Sequence, residues 1–201
     1  EKQTTGDVRI EFYAAIKTAE PFLPAGTVIA REQTYVHTFY KKEATAQQPA
    51  TSKEEGNLVA FSGPDFKATF DKQSGLLTSY LYKKHEYILN GQGPRPFFWR
   101  APTDNDYGAN LPVRLKAWKE ASYQEPKAES FQVTPGSNAT TIKVTYRFPQ
   151  TDARWDITYK IYASGVIKVD NRFVAEGDQA PMIPRVGLRM QLPESFTDLT
   201  Y

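Results

Sequence analysis

Residues 142–161 read Ile142-Lys143-Val144-Thr145-Tyr146-Arg147-Phe148-Pro149-Gln150-Thr151-Asp152-Ala153-Arg154-Trp155-Asp156-Ile157-Thr158-Tyr159-Lys160-Ile161. Large apolar side chains recur at every second position: Ile142, Val144 and Tyr146, then Trp155, Ile157, Tyr159 and Ile161. A period of two puts each set on one face of an extended chain, which predicts half-buried strands. The pattern starts near Phe131 and resumes over residues 166–174 after a Ser164-Gly165 turn. The connections are too short for parallel crossovers, so the sheet is expected to be antiparallel.

Working outward, short strands are predicted at 58–62, 66–70 and 76–82. Asp71-Lys72-Gln73-Ser74-Gly75 joins the last two, and Gly75 is placed to close the hairpin with a positive φ. Val8, Ile10, Phe12, Ala14 and Ile16 alternate as well, as do Val28 and Ala30 ahead of the aromatic-rich stretch 35–40. Glu20-Pro21-Phe22-Leu23-Pro24-Ala25-Gly26 between them reads as a turn-rich crossing. Residues 43–57 are polar and lack any apolar period, which marks a linker, drawn at 46–57 between domains at 1–45 and 58–201. One helix is expected: Leu111, Leu115 and Trp118 recur at i, i+4 and i+7, Pro112 suits a first helical turn, and Lys116 and Glu120 are four apart. The fold class is all-β.

Composition narrows the function. The chain has 201 residues, 40% of them hydrophobic, with 12 Phe, 12 Tyr and 3 Trp, enough for a substantial core. Its 25 basic and 23 acidic residues leave a net charge of +2, without a basic block to recruit nucleic acid. Cysteine is absent, so disulfides, thiolate metal sites and cysteine nucleophiles are excluded. No apolar run approaches the roughly 20 residues of a membrane span. The charged start and the strand entered almost at once suggest a segment excised from a longer chain.

The least sheet-like stretch is Pro96-Phe97-Phe98-Trp99-Arg100-Ala101-Pro102-Thr103-Asp104-Asn105-Asp106-Tyr107-Gly108. Prolines at 94, 96 and 102 deny it ladder hydrogen bonds, which predicts a shaped loop carrying a polar cluster. Asp104 and Asp106 alternate as in a calcium loop, but the later ligand positions hold Gly108 and Leu115. The plainer reading has Asp104 and Asn105 forming Asx turns. Phe97, Phe98 and Trp99 read mainly as core anchors, while Trp99 and Tyr107 are also the candidates for stacking on a sugar face. His37 and His85 are the only histidines and stand far apart, so no metal is assigned.

The run 98–108, FWRAPTDNDYG, resembles the C-terminal small-chain region of family 2 glycoside hydrolase β-galactosidases. Gly75-Leu76-Leu77-Thr78-Ser79-Tyr80 and Gly93-Pro94-Arg95-Pro96 before it, Trp118-Lys119-Glu120-Ala121 after it, and the late Pro184-Arg185-Val186-Gly187-Leu188-Arg189 extend the resemblance over residues 56–201. It implies an antiparallel supersandwich of the galactose-mutarotase-like kind, preceded by part of an immunoglobulin-like β-sandwich. It also implies a retaining enzyme for terminal β-D-galactosyl bonds whose two catalytic glutamates, magnesium and sodium belong mainly to an upstream (β/α)8 barrel. Within this segment the resemblance implies no catalytic residue and no cofactor. Gly108, Ala109, Asn110 and Leu111 would form a substrate-side loop, with Gly108 lending it freedom, and Arg100, Asp104, Asn105 and Asp106 would brace its root. The expected partners are the barrel and other domains of the parent, a galactoside at the rim, and further copies in a homo-oligomer. The expected compartment is a bacterial cytoplasm or periplasm. A carbohydrate-binding module and a structural or oligomerisation domain are the two alternative readings.

Overall fold

The computed structural model describes residues 6–39, 49–177 and 182–198. The chain divides into two compact units, residues 1–44 and 45–201. The first holds β1 (Gly6–Ala15) and β2 (Val28–Phe39), paired antiparallel with irregularities after Val8 and Ala14. Both faces of this ribbon are open: Ile10, Phe12, Tyr13, Ile29 and Tyr35 are all exposed. Two strands bury too little apolar surface to form a core of their own. A tight turn between β1 and β2 is closed by paired backbone bonds between Glu20 and Leu23, and Phe22 at its tip has a φ of 65°.

The second unit begins with β3 (Thr51–Glu55), β4 (Leu58–Ser62), β5 (Phe66–Asp71), β6 (Leu77–Tyr82) and β7 (His85–Glu86), an antiparallel five-stranded sheet in that order. β3 corrects the linker at 46–57, of which residues 46–48 lie outside the described residues. It is an edge strand exposed on both faces, held by backbone pairing to β4. An edge strand with no buried face needs no apolar alternation, which is why its sequence reads as linker.

β8 (Arg95–Phe97) precedes three short helices, α1 (Asp104–Gly108), α2 (Leu111–Arg114) and α3 (Lys116–Tyr123). Then come β9 (Ser130–Thr134), β10 (Ala139–Phe148), β11 (Ala153–Tyr162) and β12 (Ile167–Ala175). These four pair antiparallel in the order β12-β11-β10-β9. The late β13 (Gly187–Arg189) returns to pair with β8, Leu188 facing Pro96.

The two large sheets face one another across a single apolar cluster, giving an all-β antiparallel sandwich. Val59, Phe61, Ala68 and Phe70 come from one side; Ile142, Val144, Ile157, Tyr159 and Ile161 come from the other, all fully buried. Phe70 meets Tyr159 edge to face with ring centres 5.1 Å apart. Gly75 takes the expected positive φ, 74°, and a Cβ there would stand 2.5 Å from both the Tyr146 hydroxyl and Val144 Cγ1. Toward β12 the inner face opens, since Val169 and Asn171, paired with Tyr159 and Ile157, are exposed. Among the described residues no helix is long and apolar enough to cross a membrane.

Candidate functional site

The proline-bounded motif is anchored by its aromatics. Phe98 is fully buried, its ring centre 4.9 Å from Trp118, 5.0 Å from Phe148, 5.5 Å from Trp155 and 5.9 Å from Phe173. Its amide donates to Ser122 Oγ at 2.9 Å, and that hydroxyl donates to the Trp118 carbonyl at 2.7 Å, which ties the motif to α3. Phe97 packs edge to face on Tyr123 at 5.4 Å. Trp99 is 7% exposed, with the Lys119 ammonium 5.8 Å from its ring centre. The expected core role of all three rings is what the structure has. A stacking face on Trp99 is therefore covered, whereas Tyr107 is 64% exposed.

Beyond Trp99 the chain turns outward and the polar cluster forms helix rather than the predicted loop. Thr103 is the N-cap of α1: its hydroxyl accepts from the Asp106 amide at 3.4 Å, and Asp106 Oδ2 accepts from the Thr103 amide at 2.8 Å. This reciprocal arrangement is a capping box, with Asp in place of the usual Glu or Gln three residues on. The Thr103 and Asp106 spacing was the available signal, and the prolines obscured it.

Asp106 is also the partner of Arg100, whose two terminal nitrogens reach its oxygens at 2.6 and 2.8 Å. The fork of a guanidinium matches a carboxylate and fixes orientation as well as charge. The bracing expected of four residues thus falls to Arg100 and Asp106, joined by Thr103. Asp104 and Asn105 are exposed, and neither side chain makes a hydrogen bond among the described residues.

The backbone of this segment takes one special conformation, at Asn110. Gly108 ends α1 without a positive φ, and a Cβ added to it would meet nothing within 4 Å. Asn110 instead holds the left-handed conformation, φ 54° and ψ 29°, as N-cap of α2. Asn tolerates that region better than other residues with a Cβ, and the reversal there separates α1 from α2. Leu111 packs partly against the core and Leu115 and Trp118 are buried, but the single helix expected here is two, α2 and α3, broken at Leu115 (φ −109°, ψ 20°); Lys116 pairs with Glu120 at 3.2 Å within α3.

Backbone donation from Thr103, then the Arg100 guanidinium, hold the Asp106 carboxyl below the usual carboxylate range against burial. With its oxygens engaged it is an acceptor and brace, not a proton donor. Because the folded value is depressed, its contribution to stability is present above the unfolded value of about 3.9 and fades as pH falls through the folded one. As pH falls from about 4 through the folded value the urea midpoints of the protein and of Asp106→Asn should therefore draw together, whereas at pH 6 the variant should unfold at lower urea.

A cavity of about 90 Å³ lies against Trp99, Arg100, Asp106, Leu111, Leu115 and Ile183. It is far below the roughly 300 Å³ at which pockets for drug-sized ligands begin. A larger one, about 420 Å³, involves Arg95, residues 124–129 and residues 146–148, and none of residues 99–111. Among the described residues no cluster of three or more His, Cys, Asp or Glu is disposed to hold a metal. His85 is exposed, and the side chain of His37 lies outside the described residues.

An antiparallel sandwich with a short helical motif fastened to its core is the class of structure this chain forms. The family model described as "Beta galactosidase small chain" matches residues 62–201, and the chain belongs to that family. It is 31% identical over 157 residues to a β-galactosidase of Priestia megaterium, covering 78% of this chain and 15% of that protein. A β-galactosidase of Streptococcus thermophilus is 29% identical over 195 residues, 95% of this chain and 18% of its own length. A β-galactosidase small subunit of Latilactobacillus sakei is 28% identical over 165 residues, 71% of this chain and 50% of its own. The chain thus spans under a fifth of the long relatives and half of the small subunit.

Proposed function

We propose that this chain is a non-catalytic part of a β-galactosidase of glycoside hydrolase family 2, and that it shapes the rim of an active site carried elsewhere in the protein. The parent would hydrolyse terminal β-D-galactosyl bonds with retention. Such a reaction needs two carboxyl groups about 5 Å apart across the scissile bond. In this reading they belong to a (β/α)8 barrel, which also binds most of the magnesium and sodium. Residues 1–45 would be the end of an immunoglobulin-like sandwich, whose missing strands would cover the open ribbon β1–β2. Residues 58–201 would be the start of a supersandwich of the galactose-mutarotase-like kind, and the parent a homo-oligomer.

The observation that carries the rim role is the division of labour in the motif. Phe98 and Trp99 fasten it to the core, Arg100 and Asp106 set its root, and Tyr107 to Asn110 are left exposed on the outer side. A carbohydrate-binding module is the second reading, supported by exposed Tyr107, and sugar binding by the isolated chain would favour it.

Gly108→Val in the parent enzyme tests the rim. Open space and ordinary backbone at this position mean that the new side chain should cost little stability. Turnover of a galactoside should fall severalfold while the thermal midpoint holds. Unchanged kinetics in the folded variant would remove Gly108 from the rim.

A further inference from the structure

β8 and β13 place two arginines directly opposite one another, Arg95 facing Arg189. Like charges at directly opposed positions of an antiparallel pair repel and destabilise it. Among the described residues neither guanidinium has a carboxylate within ion-pair distance, 4.0 Å. Arg95 is half-buried and donates to the Ser122 carbonyl at 3.0 Å, the Gln124 carbonyl at 2.6 Å and Gln92 Oε1 at 3.4 Å. A guanidinium has five N–H groups, so two of Arg95's remain. Arg189 lies over the rings of Phe97 and Tyr123, 5.4 and 5.9 Å from their centres, and its N–H groups have no acceptor among the described residues. The two side chains border a cavity of about 160 Å³, together with Gln92, Tyr123 and Gln191. Burial, and the facing Arg189 more weakly, lower the Arg95 pKa, while Glu125 acts in the opposite sense from beyond ion-pair distance.

We propose that Arg95 and Arg189 form a receptor for a small oxyanion, a carboxylate or a phosphate, seated in this cavity. An oxyanion between them turns a repulsive cross-strand pair into two charge-assisted contacts, each stronger than a neutral hydrogen bond. The amides of Gln92 and Gln191 supply neutral donors, and the Phe97 and Tyr123 rings hold the Arg189 fork in place from below. The site stands apart from the motif at 99–111 and does not depend on the rim reading.

The test is an NMR titration of the isotopically labelled 201-residue chain with inorganic phosphate, and separately with acetate, at constant ionic strength maintained with chloride. The Nε–H signals of Arg95 and Arg189 should move together to one plateau, with the Arg147 signal unmoved. The anion with the tighter curve identifies the ligand as phosphate or carboxylate. Arg189→Gln, exposed and folded by its amide spectrum, should weaken binding by about tenfold or more, and Arg189→Lys by less, because it keeps charge without the fork. Drift proportional to anion concentration, an equal response to chloride, or unchanged affinity in Arg189→Gln would overturn the proposal.

Discussion

Phe98→Ala is expected to destabilise the second unit by about 3–5 kcal/mol, the range for removing a buried aromatic from a packed core. Phe98 has no exposed surface and its ring meets β10 through Phe148, β11 through Trp155, β12 through Phe173 and α3 through Trp118. Four elements therefore lose a common contact, and those same elements limit how far the site can collapse to fill the gap. Domains are stable by only about 5–15 kcal/mol, so the loss is a large fraction of the whole. Urea unfolding followed by tryptophan fluorescence measures it, since Trp118 and Trp155 flank the cavity created. Tyr107→Ala, at an exposed position of the same motif, is the control and should leave the midpoint nearly unchanged. A loss below about 1 kcal/mol for Phe98→Ala would mean that the motif is not fastened through this ring.

Strong alternation at Ile142, Val144 and Tyr146 and at Trp155, Ile157 and Tyr159 encodes burial on one face, and the register pairs those sets across β10 and β11 as expected. The spacing of Leu111, Leu115 and Trp118 marks the residues that pack inward, but not the break at Leu115 that divides the segment into α2 and α3. β3 was illegible because its stability comes from backbone pairing at an edge, which leaves no side-chain pattern. α1 was obscured for a different reason. Asp104, Asn105 and Asp106 suit Asx turns and a helix start equally, and the Thr103 cap decides between them.

Within the proline-bounded motif the anchoring aromatics were legible and the pairing of its charged groups was not. Arg100 and Asp106 pair because α1 turns back on its own root, a geometry that spacing alone does not impose. The left-handed position falls on Asn110, which nothing in the local spacing singles out. Arg95 and Arg189 meet only because β13 returns to β8 from the far end of the chain, and no local pattern announces such a pairing.

The proposed role is that this chain supports galactoside hydrolysis by a parent enzyme without performing it. Asp106 has both oxygens committed to Arg100 and Thr103, and Asp104 faces solvent, so the motif offers no opposed pair of an acid and a nucleophile. The expected effect is all or none. The deciding measurement is the hydrolysis of a chromogenic β-galactoside by the 201-residue chain alone and after mixing with a barrel-containing fragment of the parent, with sedimentation confirming that the two associate. No turnover by the chain alone and turnover by the associated mixture are expected; hydrolysis by the chain alone, or an associated mixture no more active than the barrel fragment, would overturn the proposed role.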